Sequence, residues 1–174
     1  MIKAIVCVDS KWGIGKQNGL LFKLKKDLQL FKQVTMDNIV FCGYNTLLSF
    51  PGSKSLKGRS TICLCPEGIE RDDCFCIHDF EEAVRLLKEL AKTKDVFVIG
   101  GAMTYAAMLE YCQEVYVNKV DADGEAEVFF PNLDDDASYE VTQVLPAIED
   151  EGYLTQLYRY TRKIPVEDIE SQCL

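Results

Sequence analysis

One carboxylate stands where a core residue belongs. In the stretch LKKDLQLF, residues 24–31, Leu24, Leu28 and Phe31 follow the i, i+4, i+7 spacing of a buried helix face. Lys25, Lys26, Gln29 and Lys32 gather on the opposite side. At about 100° per residue, Asp27 falls inside the apolar arc. A carboxylate buried there costs several kcal/mol unless a partner satisfies it or its pKa rises, and a carboxyl with a raised pKa is a group suited to acid–base work. The alternative is a rim residue at an exposed helix end.

Glycine-rich junctions form a second kind of candidate. In NIVFCGYNTLLSF an apolar run passes through Gly43 into a helical pattern with Asn45 or Thr46 as its cap. In DVFVIGGAMTYAAML another ends at Gly100-Gly101 before a second helix. A helix N-terminus offers backbone N–H groups, and glycine lets a phosphate approach them. Two such turns in one parallel sheet suit a pyrophosphate held from both sides. Neither matches G-x-G-x-x-G, so ordinary strand-to-helix turns stay equally open. A third segment, KWGIGKQNGLLF at 11–22, reads as an irregular loop of the kind that covers a site, with Trp12 as core plug or hinge.

The pattern CLCPEGIERDDCFCIH holds two C-x-C pairs and the only histidine of the chain, His78. On strands, i and i+2 point to one face, so adjacent strands could gather four sulfurs. The spacing differs from that of common structural zinc sites, and buried thiols are the expected state, with no metal.

The elements that position these residues follow from the pattern. Apolar runs at 2–8, 38–42, 60–65, 74–77 and 95–99 read as strands, alternating with helices at 24–35, 44–49, 80–92 and 102–111. Such alternation predicts a single α/β domain with a central, mostly parallel twisted sheet and helices on both faces. After residue 113 the pattern changes to EVYVNKV, YEVTQVL and YLTQLYRYTRK. The last two suit an antiparallel C-terminal hairpin. Residues 163–174 read as a tail, loose or a short helix.

The 174 residues are 48% apolar and 27% charged, an ordinary globular composition for one domain. The net charge of −9 disfavours nucleic acid and membrane surfaces as partners. Cysteines inside apolar runs, with no stretch resembling a secretory signal, place the chain in the reducing cytoplasm.

Taken in order, GIGKQNGLL, Asp27 through Phe31, GYNT, Gly58-Arg59, VIGGAMTY and VFFPNLD resemble the dihydrofolate reductase family over residues 1–162. The resemblance implies reduction of 7,8-dihydrofolate to tetrahydrofolate by a monomer using NADPH, with NADH as the alternative donor. It implies that Asp27 binds the 2-amino group and adjacent ring nitrogen of the pterin and promotes protonation at N5. Leu20 and Phe22 would lie at the catalytic loop. Ile5, Leu28, Phe31, Phe50, Leu56 and Ile99 would line the substrate channel, with Arg59 on the glutamate carboxylate and Asn118 donating to the Asp27 carboxylate. Gly43, Tyr44, Asn45, Thr46, Leu64, Cys65, Gly100, Gly101, Ala102, Met103 and Thr104 would surround the nucleotide. Cys7, Ile14 and Tyr105 would sit around the nicotinamide.

Departures from the family pattern are specific. Leu20-Leu21-Phe22 replaces Leu-Pro-Trp, Asn118 replaces a threonine, and Tyr44 replaces the arginine that pairs with the 2′-phosphate. Cys65-Pro66 and Met103 stand where hydroxyl or basic residues are common. Each lost charge-assisted phosphate contact costs on the order of 1.5–3 kcal/mol, which would weaken discrimination against NADH. Two other readings therefore stand beside the first: a reductase of another pterin or of a pyrimidine, and a non-catalytic folate-binding paralogue.

Overall fold

The computed structural model describes residues 1–167; of the expected tail at 163–174, residues 168–174 lie outside them. In chain order come β1 (Ile2–Val8), β2 (Gly13–Gly15), α1 (Lys25–Thr35), β3 (Ile39–Gly43), α2 (Tyr44–Ser49), β4 (Ser60–Leu64), β5 (Phe75–Ile77), α3 (Phe80–Leu90), β6 (Val96–Gly100) and α4 (Ala102–Met108). Then follow β7 (Glu114–Val120), β8 (Val128–Phe129), β9 (Tyr139–Gln143), β10 (Ile148–Asp150) and β11 (Tyr153–Arg162).

Among the described residues nine strands form one sheet in the order β10-β11-β7-β1-β6-β3-β4-β5, with β9 also pairing β11. Strands β7, β1, β6, β3, β4 and β5 run parallel, whereas β11 enters antiparallel to β7. The far edge of β11 is divided between β10, opposite 153–155, and β9, opposite 158–162, so the expected antiparallel hairpin is present. The buried strands β3 and β6 carry near-continuous apolar runs because both faces are covered. One face packs Val6, Val98 and Val117 against Leu87 of α3 and Met108 of α4. The other sets Ile5, Val40, Phe97 and Ile99 against Phe31 and Val34 of α1 and Leu47 of α2.

Four local readings change or sharpen. Segment 11–22 is not wholly irregular: Gly13–Gly15 pairs with Val128–Phe129, a strand whose glycines hide it from any propensity signal. Trp12 is a core plug, 7% exposed, with its ring 5.7 Å from Tyr160 and 6.2 Å from Phe130. Helix α2 begins at Tyr44 with Gly43 as its cap, so neither Asn45 nor Thr46 caps it. The C-x-C pairs do meet. Cys76 lies opposite Cys63 in register, the Cys65 and Cys76 sulfurs are 3.2 Å apart, and Cys74 lies 4.0 Å from Cys76.

Candidate active site

Asp27 occupies the first turn of α1, where Leu24, 1% exposed, provides the backbone cap but no side-chain hydrogen bond. The Asn118 amide donates to Asp27 Oδ1 at 2.9 Å from β7. Asn118 is itself buried, and it lies in register with Cys7 of β1, so carboxylate, amide and thiol share one level of the sheet. Burial raises the Asp27 pKa above the ordinary carboxylate value. The Asn118 hydrogen bond opposes that rise, and the negative charge of Asp150 adds to it. The predicted anomaly is therefore a shielded carboxyl with one designated donor, not a rim residue.

From this level an apolar wall runs along the same sheet face. Ile5 and Ile99 are buried, and Phe31, Phe50, Leu56 and Tyr44 pack against their cluster. Leu28 departs from the expected buried face: it is 50% exposed, so the apolar arc of α1 is covered only in part. At the other end of α1, Arg59 Nη1 donates weakly to Thr35 Oγ1 at 3.4 Å, while Arg59 Nε is buried without a partner. No salt bridge engages Arg59 among the described residues, and burial lowers its pKa. Asp27 and Thr35 are separated by about 12 Å of helix at 1.5 Å per residue. A carboxyl, an apolar wall and an under-satisfied guanidinium thus stand in line, which suits a long ligand with a polar ring at one end and an anion at the other.

The glycine turns meet because β3 and β6 are neighbours, with Cys42 opposite Gly100. A Cβ on Gly43 would come 2.9 Å from Thr104 Oγ1, and one on Gly101 would come 3.2 Å from Thr46 Oγ1. The Gly100-Gly101 peptide is cis, and Gly100 has φ of 132°. Neither α2 nor α4 has a side-chain cap, so a narrow backbone cradle flanked by two threonine hydroxyls lies between their N-termini. Asn45 and Ala102 lie at the same two turns, Asn45 exposed and Ala102 half-buried. Leu64 ends the neighbouring strand β4, and buried Cys65 follows it.

Tyr44 is half-buried beside Arg71, whose guanidinium is already engaged by Asp73 at 2.7 and 2.9 Å and by the Ser53 carbonyl. Met103 is 88% exposed. Ile14 packs against the core beneath the 11–22 segment, and Tyr105 donates its hydroxyl to the Ile5 carbonyl at 2.8 Å. Tyr105 is therefore a pillar between α4 and β1 as well as a neighbour of the site.

Leu20 is 68% exposed, whereas Phe22 is half-buried with its ring 4.8 Å from Tyr153. Sequence reasoning missed two acids. Asp9, 3% exposed, accepts from the amides of Lys11, Gly13 and Gly124 and ties the 11–22 segment to the turn before β8. Asp150, 2% exposed, accepts from the amides of Lys26 and Asp27. Both sit in polar stretches, and only their long-range backbone partners distinguish them from surface acids. A cavity of about 250 Å³ lies behind α1, lined by Leu30, Gln33, Leu145, Pro146 and Ile148 and reaching Asp27 and Asn118.

Comparison with known proteins places this arrangement. A curated dihydrofolate reductase of Staphylococcus haemolyticus is 31% identical over 137 residues, covering 77% of this chain and 80% of the relative. That of Schistosoma mansoni is 30% identical over an alignment of 190 positions, covering 98% and 97%. A solved dihydrofolate reductase from Enterococcus faecalis, complexed with NADP(H), superposes with a TM-score of 0.82 at 28% identity, covering 94% of this chain and 97% of that one. The family profile described as dihydrofolate reductase matches residues 1–162. With that match spanning nearly the whole sequence, the chain belongs to the dihydrofolate reductase family.

Proposed function

We propose that the chain reduces 7,8-dihydrofolate to tetrahydrofolate with NADPH, and that Asp27 is its proton-handling group. The observation that carries this reading is the Asp27–Asn118 pair at 2.9 Å, set at one end of an apolar wall with Arg59 at the other. Asp27 receives the 2-amino group and ring nitrogen of the pterin. Burial raises its pKa, which favours the protonated carboxyl relative to an exposed aspartate and suits it to proton transfer toward N5. Asn118 fixes which carboxylate oxygen remains free for the substrate. Ile5, Phe31, Phe50, Leu56 and Ile99 exclude water along the ring and linker. Arg59 forks to the glutamate carboxylate, with its buried Nε supplied a partner by the ligand.

NADPH, when bound, supplies the hydride. The residues present fit it: the glycine cradle at Gly43 and Gly100-Gly101 is too narrow for side chains and is lined by backbone amides with the Thr46 and Thr104 hydroxyls. Thr46, Thr104 and those amides would hold the pyrophosphate, while Cys7 and Ile14 would border the nicotinamide. In this reading residues 1–162 are the catalytic domain, working as a monomer without nucleic-acid partners in the reducing cytoplasm. Its support is the acidic net charge of −9 and the free thiols of Cys65 and Cys76, where Cys65 Sγ donates to Cys76 Sγ at 3.2 Å. No helix among the described residues is long and apolar enough to cross a membrane.

The test is NADPH oxidation by the purified protein. It should require dihydrofolate, run more slowly with dihydrobiopterin because Arg59 then has no anion, and fall at least ~100-fold near pH 7 in Asp27→Asn, in the range expected for removing a general acid. Full activity in Asp27→Asn overturns the role given to Asp27.

A further inference from the structure

Helix α1 carries Asp27 in its first turn, and the backbone N–H groups of that turn need acceptors. The local sequence supplies none: Leu24 at the cap position has no side-chain oxygen. The acceptor comes from the other end of the chain. Asp150 Oδ1 receives the Lys26 amide at 3.1 Å, and Asp150 Oδ2 receives the Asp27 amide at 2.9 Å. Asp150 is 2% exposed and ends β10, paired in register with Tyr153 across the turn. The same hairpin holds the helix at two further points. Lys26 Nζ donates to the Glu149 carbonyl at 2.6 Å, and Tyr153 packs its ring on Phe22, just ahead of the helix. A cavity of about 250 Å³ opens between helix and hairpin from Lys26 and Asp27 along to Leu30, Gln33 and Ile148.

We propose that Asp150 is a positioning residue for the reaction: from the β10–β11 hairpin it caps the first turn of α1, aims the Asp27 carboxyl, and sets a second negative charge beside it. The proposal rests on the reading of Asp27 as the proton-handling group. The groups facing Asp27 from the elements around it are Asn118 of β7, Cys7 of β1, Tyr105 of α4 and Asp150 of β10, with Lys26 next to it on α1. Burial pushes the Cys7 thiol and the Tyr105 phenol up, so both are neutral across the working range, and Lys26 is turned to Glu149. Asp150 is thus the charge in this set that acts on the Asp27 proton, and it acts to retain it.

The experiment compares the wild type, Asp150→Asn and Asp150→Glu in two readouts. One is the pH profile of the hydride-transfer rate; the other is the Asp27 carboxyl titration in the free enzyme, followed by carbon NMR and assigned by its loss in Asp27→Asn. Asp150→Asn, which keeps one acceptor but loses the charge, should lower the Asp27 midpoint and move the alkaline limb of the rate to lower pH. The shift should be about half to one pH unit, a three- to tenfold rate loss above the limb, and amide exchange at Lys26 and Asp27 should quicken. Asp150→Glu, which keeps the charge, should restore both midpoints. Unchanged midpoints in folded Asp150→Asn overturn the proposal, as does a rate loss uniform across pH. Should Asp150→Asn fail to fold, a wild-type midpoint in Asp150→Glu supports the proposal and a lowered one overturns it. Failure of the Asp27 reading is distinct: Asp27→Asn would then keep wild-type activity, whatever the titration shows.

Discussion

The two halves of the site are built from different materials. On the proposed substrate side, side chains do the work: Asp27 is held by Asn118, α1 is held by Asp150, and Arg59 stands at the far end with a buried nitrogen unpaired. On the proposed cofactor side, glycines come together at Gly43 and Gly100-Gly101, bordered by two threonine hydroxyls. Near it Arg71 is spent on Asp73, and Met103 is exposed. Recognition by side chains can be tuned one residue at a time, whereas recognition by a backbone cradle depends on what is kept out of it.

This contrast can be broken experimentally, and the largest effect belongs to Asp27→Asn. Its activity loss should be confined to the substrate half, with the NADPH dissociation constant unchanged by fluorescence titration. The same variant should melt at a higher temperature. A folded-state pKa above the unfolded value makes ionised Asp27 a cost to stability above that raised pKa, and the cost disappears as pH falls through it. The gain in Tm should therefore be present above that raised pKa and vanish as the pH falls through it, as scanning calorimetry would show. Next in size, Arg59→Ala should raise KM for dihydrofolate by about 10- to 100-fold, the worth of one charge-assisted contact, with kcat retained. A pterin lacking the glutamate should be reduced equally by both enzymes; a loss with that substrate too would mean that Arg59 acts on the fold.

On the cofactor side, Gly43→Ala drives a Cβ to within 2.9 Å of Thr104 Oγ1. It should weaken NADPH by about tenfold, as the displacement of one such contact would, and leave dihydrofolate binding intact. The smallest effect is spectroscopic. His78 is the only histidine of the chain, its ring nitrogen Nδ1 lies 3.2 Å from the Cys65 carbonyl, and its pKa is raised, first of all by the hydrogen bond to Glu70. NADPH should move its proton-NMR titration midpoint by a few tenths of a unit, while dihydrofolate alone should not. A shift with dihydrofolate alone would dissolve the division between the halves.

What the amino-acid pattern made legible follows the same division. Asp27 could be read because a charge among Leu24, Leu28 and Phe31 violates a helical period, and the central strands could be read because parallel strands buried on both faces are continuous apolar runs. Leu28 was misplaced because periodicity separates an apolar face from a polar one but not a core from an open wall. Strand β2, built on Gly13 and Gly15, left no propensity signal, and the cap of α2 fell at Gly43 since the chain turns helical directly at Tyr44. Asp9 and Asp150 were invisible for a different reason. Their acceptor atoms serve backbone groups brought near by the fold, and a buried acid in IEDEG looks like any solvated one until its partner is known.

The distance in sequence between Asp150 and the helix it caps also sets an order of assembly. The bonds to Lys26 and Asp27 span 124 and 123 residues. At 5–20 residues per second, a growing chain therefore makes α1 roughly 6–25 s before its cap exists. β1 is already made by then, and β3, β6 and both glycine turns are synthesised within that interval, all before the residue that caps the helix of Asp27. The hairpin at residues 148–162 is therefore the last element of the sheet to be made, and the cap of α1 comes with it.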